Sequence, residues 1–518
     1  MGGHYTMSLY NDYEKLTEQY EDLTEIHRRL KQKLASQNRE LKNARETNDR
    51  LTAELKDKDG EIDALKKEVA RLTALHDMDS TNSGISTAKT PIHKKKHIPN
   101  SRPKSTRSIG GQKGHAKHKL EKFSDDEITD QRFHKVDVCP SCGGELQLMD
   151  DEITKDETEY EVVVKKIRHH FPQYRCKSCG KKTRAHIPAN LKEDNQYGAR
   201  VRALTLALGN DGNVSMNKIS KTIYGLTDGE IDLSEGFIAK QQRWAARELQ
   251  HFMEELAKEI RQRSLVYWDD TVIMINKRRG CLRFYGDEKI ALYFAHDKKN
   301  KAGLDEDGIL SVLPKTTTVM HDHNKVNYNA EYSFGNIECN VHLLRDLQKA
   351  TDNLGHKWSA ELKELLTATN TMRNEAMERG EESFGEERVR EFFAKFDDLI
   401  VLGMEENKKE SAKRYYVSEE RALLARLLKY KDNYLSWVTN FGLPFSNNVS
   451  ERALRSSKTK LKVAGQFKNC EMAKCYATIK SYIETCNRNG IDAIYALQKL
   501  CCGEVPHVAD ILNKGADV

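Results

Sequence analysis

From Tyr13 to Leu72 one set of positions recurs at alternating steps of three and four without a break: Tyr13, Leu16, Tyr20, Leu23, His27, Leu30, Leu34, Gln37, Leu41, Ala44, Asn48, Leu51, Leu55, Lys58, Ile62, Leu65, Val69 and Leu72. Most are apolar, and the positions between them are dominated by Glu, Lys, Arg and Asp. A heptad seam of this length admits a long helix and excludes a strand. The polar entries Gln37, Asn48 and Lys58 trade stability for register and oligomer state. Residues 8–76 are therefore expected to form a coiled coil of roughly 90 Å at about 1.5 Å per residue, a homodimer or higher oligomer in preference to a single solvated helix.

At 518 residues the chain exceeds what one core usually holds, so roughly two to four modules are expected. Charged residues reach 32% against 38% hydrophobic, and the mean hydropathy is −0.74, which fits a long solvated section joined to globular parts. No apolar run approaches membrane-spanning length, and Met1 to Tyr10 lacks the layout of a signal peptide. A cytoplasmic protein with no membrane partner is the expectation.

The net charge of +6 is unevenly placed. Between Ser80 and Leu120 there is no Asp or Glu, while Lys94, Lys95, Lys96, Arg102, Lys104, Arg107, Lys113 and His115 all fall there among Pro and Gly. Residues 77–125 read as a basic linker or a polyanion-binding arm, since neutralising phosphates releases counterions without requiring a fold.

Within residues 126–190, Cys139-Pro140-Ser141-Cys142-Gly143 and Cys176-Lys177-Ser178-Cys179-Gly180 form two Cys-x-x-Cys knuckles around a Val-rich, β-type interval, Glu159 to Ile167. A glycine directly after each pair allows the tight turn that aims two sulfurs at one ion. Four thiolates define a closed, structural zinc site. A redox dithiol would explain one pair and leave the other unused. The other seven cysteines are scattered, and reduced thiols are expected.

Residues 191–262 look helical, and Ser215 to Leu249, with Ser234 available as an N-cap, is a candidate helix-turn-helix or simply two packing helices. Ser264 to Asn276 then reads as a β-branched strand with Asp269 and Asp270 at its middle. Further strands are expected at Cys281–Tyr285, Ile290–Ala295 and Thr316–Met320, with a short helix near Asp307–Leu313. Strand, strand, strand, helix, strand is the layout of a ribonuclease-H-like α/β core, in which the first and fourth strands are neighbours and Asp269 and Asp322 converge. Carboxylates brought together repel unless a cation lies between them, and oxygen donors suit magnesium or manganese.

Near the other end, Asn447-Asn448-Val449-Ser450-Glu451-Arg452-Ala453-Leu454-Arg455 begins a helix followed by Lys458, Lys460 and Lys462. Asn448 as N-cap and Glu451 three residues on have capping-box spacing, which offers Glu451 a purely structural role. A lone acid on a basic helix also suits a third metal ligand beside DNA.

These residues carry a family resemblance over nearly the whole chain. The Gly110-Gly111-Gln112-Lys113-Gly114-His115 run, the paired knuckles, Asp269-Asp270-Thr271, Asp322 followed by Cys339-Asn340-Val341-His342-Leu343-Leu344-Arg345, the Asn447 to Arg455 motif and Asn489-Gly490-Ile491-Asp492 resemble the insertion sequence 66 family of transposases, the TnpC type. The chain departs from that pattern at Ser446, Asp270 and His323-Asn324. The resemblance implies a DNA transposase that binds the terminal inverted repeats of its element, with an Asp-Asp-Glu catalytic core of Asp269, Asp322 and Glu451 holding Mg2+ or Mn2+. It implies strand cleavage and strand transfer in a bacterial cytoplasm, with accessory proteins of the element as further candidate partners. His342, Arg345, Arg452, Arg455, Lys458 and Lys462 would then meet DNA phosphates.

The expected architecture is multidomain α+β: coiled coil, basic arm, small zinc-binding β module, helical DNA-binding region, a ribonuclease-H-like core over residues 263–342 and 441–500, a helical insertion over 343–440, and a C-terminal tail over 501–518. Two rival functions fit parts of the sequence. One is a nuclease of the same fold that does not join strands; the other is a coiled-coil and zinc-module DNA-binding protein without catalysis.

Overall fold

The computed structural model describes residues 3–76, 121–149, 152–188, 190–410 and 414–514. The chain divides into two compact units, Met1–Ile98 and Pro99–Val518. In the first, a single 74-residue helix, α1 (Gly3–His76), spans the heptad region. Its seam residues from Tyr13 to Val69 are exposed, Leu16 at 67% and Leu55 at 67% among them. A helix cannot bury its own stripe, so this face is available to a partner. The basic segment with Lys94 to His115 lies outside the described residues.

In the second unit the knuckle region holds one short ladder, β1 (Gln173–Arg175) antiparallel to β2 (Lys182–Arg184). The Val-rich interval Glu159 to Ile167 is not a strand, contrary to the reading of its composition. Tyr160, Val163 and Ile167 are exposed there. β-branched residues favour a strand only when a pleated surface packs against them, and here none does.

Four helices follow: α2 (Ala199–Asn210), α3 (Met216–Leu226), α4 (Glu235–Glu248) and α5 (Gln250–Arg261). Ser234 caps α4 as its residue type suggests, its Oγ accepting the Phe237 amide at 3.1 Å. Buried Ile219, Ile223, Leu233 and Ile238 pack α3 and α4 together.

A five-stranded sheet comes next, built from β3 (Leu265–Ile275), β4 (Arg278–Gly286), β5 (Ala291–His296), β6 (Thr318–His321) and β7 (Gly335–Glu338) in the order β5-β4-β3-β6-β7. The β3–β4 and β4–β5 pairs are antiparallel, whereas β3–β6 and β6–β7 are parallel. The strands that carry Asp269 and lead into Asp322 are thus hydrogen-bonded neighbours, with Tyr267 opposite Met320. The helix between β5 and β6, α6 (Lys301–Asp307), starts earlier than its apolar residues suggest. Asn300 sets the start by accepting the Gly303 amide, and Gly308 ends the helix at a φ of 63°. The stretch expected to be helical, 307–313, holds the last residue of α6 and a short 3-10 turn at Leu310–Val312.

Between β7 and the last helices lie α7 (Asn340–Leu354), α8 (Lys357–Glu378), α9 (Glu386–Lys409), α10 (Arg414–Lys429) and α11 (Lys431–Thr439). They have their own apolar core, centred on Trp358, Leu362, Phe396 and Trp437. The chain returns through α12 (Asn448–Ala464), α13 (Cys470–Arg488), α14 (Ala493–Cys502) and α15 (Val508–Lys514). Residues 501–514 are therefore not a tail. Val508 and Ile511 are each 1% exposed and belong to the largest core cluster.

Both sheet faces are covered. Val266, Trp268, Tyr285 and Leu292 pack with Phe252 and Leu256 of α5 and Leu497 of α14. Tyr267, Ile273, Phe284 and Tyr293 pack on the other face with Val449, Ala453 and Leu454 of α12 and Tyr476 of α13. Among the described residues, no helix is long and apolar enough to cross a membrane. All eleven cysteines are free thiols.

Candidate active site

Adjacent acids on β3 point to opposite sheet faces, because side chains alternate along a strand. Asp269 shares the parity of Tyr267 and Ile273, the face that α12 covers. Asp270 has the parity of Trp268, and its Oδ1 is held by Lys299 Nζ at 2.6 Å. The Asp269 carboxyl is enclosed although part of the residue's surface stays open. Burial first, then the charges of Asp322 and Asp270, push its pKa well above the usual carboxylate range. Its Oδ1 accepts the Asp270 amide at 2.7 Å, which acts in the opposite sense.

Asp322 follows the last residue of β6, and its neighbours are fixed on both sides. His321 Nδ1 lies 2.8 Å from the Asp322 carbonyl oxygen and its Nε2 2.8 Å from Asn336 Oδ1. His323 Nδ1 is 2.7 Å from Oε1 of Glu338, a side chain with no exposure, which also accepts the Tyr328 hydroxyl at 2.6 Å. These contacts hold the main chain on either side of the Asp322 carboxylate.

Glu451 is on the first turn of α12, but the capping box does not form. The N-cap is Asn447, not Asn448, and it makes no side-chain capping bond. Its side chain is fully buried and turned inward, Nδ2 donating to the Trp268 carbonyl at 3.0 Å, while its amide approaches Cys339 Sγ at 3.2 Å. Glu451 is thereby freed from capping, and its Oε1 lies 3.5 Å from Arg345 Nη2 and 3.8 Å from His342 Nε2. At the far end of α12, Phe467 donates to Met274 O at 2.8 Å and accepts from the Asn276 amide at 3.0 Å. The helix is tied to β3 at both ends.

Two cations face the three carboxylates. His342 stands between Asp322, 3.0 Å from its Nδ1, and Glu451. Burial works against a charge on His342, but the Asp322 carboxylate and Cys339 thiol more than offset it, so the imidazole is pushed up to about 11. Lys458 lies two turns further along α12 than Glu451. Burial lowers its pKa, and the charges of Asp269, Glu451 and Asp322 act against that shift. Asp322, Cys339 and His342 form a group of ligand atoms within 4.8 Å of one another; Asp269 and Glu451 are not members of that group. Glu451 approaches the group at His342 Nε2, 3.8 Å away.

Of the remaining candidates, Arg452 is exposed and lies 3.3 Å from Glu288, and Arg455 and Lys462 are exposed on α12. Lys460 is turned inward and donates to the carbonyls of Gly209 at 2.8 Å and Val214 at 3.1 Å, joining α12 to the α2–α3 turn. Sequence reasoning missed Glu338, Lys299 and the inward role of Asn447. A lone Glu at the end of a four-residue strand leaves no periodic signal.

Each knuckle forms its turn. Gly143 and Gly180 take φ of 70°, and their amides bond back to the Cys139 and Cys176 carbonyls at 2.8 and 2.9 Å. Backbone amides of Ser141 and Cys142 lower the Cys139 thiol's pKa, and those of Cys179 and Ser178 lower that of Cys176. Cys142 and Cys179 contact the first thiol of their own pairs. Among the described residues the two knuckles do not join into one cluster of ligand atoms within 4.8 Å.

One acid thus lies on β3, a second just beyond the neighbouring β6, and a third on the basic helix α12 that packs over β3. The family model described as transposase IS66 family matches residues 195–475, more than half of the chain. A second model, the zinc-finger binding domain of transposase IS66, matches residues 137–180 and so contains all four knuckle cysteines. The chain belongs to the IS66 family of transposases. Comparison with curated proteins finds no match.

Proposed function

We propose that this transposase binds the terminal inverted repeats of its element and performs both strand cleavage and strand transfer at one site of Asp269, Asp322 and Glu451. The observation that carries the reading is the His342 ring, 3.0 Å from Asp322 and 3.8 Å from Glu451, beside an enclosed Asp269 whose charge is felt by both Asp322 and His342. The sheet order and the placement of α12 support a ribonuclease-H-like core.

The residues fit a hard divalent ion, Mg2+ or Mn2+. The donors are carboxylate oxygens, and the enclosed Asp269 is disfavoured as a bare anion by burial and by two neighbouring acids. Such an ion would be held by Asp269, Asp322 and Glu451 and supplies polarisation of phosphoryl oxygens with activation of the attacking oxygen. Asp270, taken by Lys299 on the opposite face, is not part of this set. His342, Arg345 and Lys458 add positive charge where a scissile phosphate would lie, and Arg452, Arg455 and Lys462 extend it along the exposed side of α12. The basic arm from Lys94 to His115 adds sequence-independent affinity.

Cys139, Cys142, Cys176 and Cys179 would share one structural Zn2+. The module's side chains are almost all exposed, so it needs a cross-link in place of a core, and the lowered thiol pKa values of Cys139 and Cys176 suit thiolate ligation. The unburied seam of α1 supports self-association into a homodimer or larger assembly through a coiled coil, which would pair two element ends. Accessory proteins of the element and the bacterial cytoplasm complete the reading.

The test is a magnesium reaction with a labelled DNA end bearing a free 3′-hydroxyl and a plasmid target. Joined products from the wild type, and none from Asp322→Asn, support the reading. Hydrolysis without joining would make the protein a nuclease of the same fold.

A further inference from the structure

A second convergence of metal-type ligands lies away from the carboxylates, on α5. His251 and Glu255 are four residues apart on that helix and share a face, and His507 comes from the turn into α15. His507 Nδ1 is 2.7 Å from Glu255 Oε1, and His251 Nε2 is 3.5 Å from the same oxygen. The three ligand atoms lie within 4.8 Å of one another, and the two imidazoles meet edge to face with centroids 6.1 Å apart. The other oxygen of Glu255 accepts the Val508 amide at 2.9 Å. That bond fixes the carboxylate and aims Oε1 at both rings.

We propose that His251, Glu255 and His507 bind one divalent transition-metal ion of the zinc, cobalt or nickel class, clipping the C-terminal helix α15 to α5. Two imidazoles and one carboxylate select that class over magnesium or calcium and leave a fourth position for water. Metal–nitrogen bonds of about 2.0–2.1 Å and metal–oxygen bonds of about 2.0–2.2 Å place ligand atoms of a tetrahedral shell roughly 3.3 Å apart. The 3.5 Å separation already meets this, and the 2.7 Å pair needs to open by a few tenths of an ångström. Both histidine side chains are mostly exposed, 74% and 68%, so an ion enters without unfolding.

A plain ion pair of His507 with Glu255 would also hold α15 in place. It needs no nitrogen from His251, whose ring makes only the 3.5 Å contact with Glu255 and an edge-to-face contact with His507. His251 therefore separates the two accounts.

The experiment uses the full chain carrying one equivalent of zinc, which the four thiolates take first, with excess zinc removed by dialysis, and titrates Ni2+ by calorimetry and thermal unfolding. The wild type is expected to take up one more nickel than His251→Ala or His507→Ala, with affinity in each variant at least ~10-fold weaker. Nickel should raise the unfolding temperature of the wild type alone. Equal nickel uptake and an equal thermal shift in wild type and His251→Ala would overturn the proposal.

Discussion

Asn447 Nδ2 donates to the Trp268 carbonyl oxygen at 3.0 Å, so the residue that starts the Glu451 helix is bonded to the residue before Asp269. Glu451 and Asp269 are distant in sequence, and no local rule relates them. This bond, with the Phe467 to Met274 pairing at the helix's far end, sets the spacing between the two acids. Asn447→Ala should therefore cost about 1–3 kcal/mol, the penalty for a buried acceptor left without its donor. Thermal unfolding measures the loss, and cleavage should fall further than stability does. A variant as stable and active as the wild type would show that the bond does not position the site.

Lys460 supplies a pH test of the joint between α12 and the α2–α3 turn. Burial lowers its pKa from 10.5 to about 8. Between those values the unfolded chain keeps a proton that the folded chain has released, so stability rises with pH across that window. Below about pH 8 the cost of the buried charge is present in full. The stability of the wild type relative to Lys460→Met should therefore climb from pH 8 to 10.5, read from denaturant midpoints. A pH-independent difference would place Lys460 in contact with water.

Gly403 tests the packing of the insertion. A Cβ there would lie 2.7 Å from Trp358 Cδ2 and 2.8 Å from Leu424 Cδ2, and Trp358 has no exposure. Alanine favours a helix over glycine by about 1 kcal/mol, but crowding a filled core costs about 1–3 kcal/mol. Gly403→Ala should lower the unfolding temperature. An increase would mean that the Trp358 ring moves freely.

The four knuckle thiols should act as a unit. Cys139→Ser or Cys176→Ser alone should remove most of the zinc that survives dialysis, measured per chain by atomic emission, while sheet signals in circular dichroism persist. Retention of zinc after loss of one knuckle would give each pair its own site.

Much of the catalytic unit was legible because its signals are local. β3, β4, β5 and β6 stand within a few residues of the β-branched, aromatic and apolar runs that mark them, and the seam repeats from Tyr13 to Leu72 within the 74-residue α1. The differences lie where a tertiary contact is missing or added, or where a local cap resets an element's start. Val162 and Val163 favour a strand but have no partner, Asn300 moved the start of α6, and Val508 and Ile511 look like a tail until the core that takes them is seen. The capping spacing of Asn448 and Glu451 is a real pattern with a different outcome, since Asn447 takes the N-cap position without a capping bond and Glu451 turns toward His342 and Arg345. Glu338 was invisible because a buried acid on a four-residue strand has no period to mark it.

The central claim, that Glu451 acts with Asp269 and Asp322 on DNA, is tested most directly by Glu451→Gln. Gel-shift binding and strand cleavage are measured together on DNA carrying an element end, in magnesium and at fixed salt. Glutamine keeps the size of the side chain and removes its charge, so end binding should stay within a few-fold of wild type while cleavage disappears. Cleavage at the wild-type rate by Glu451→Gln would contradict the account.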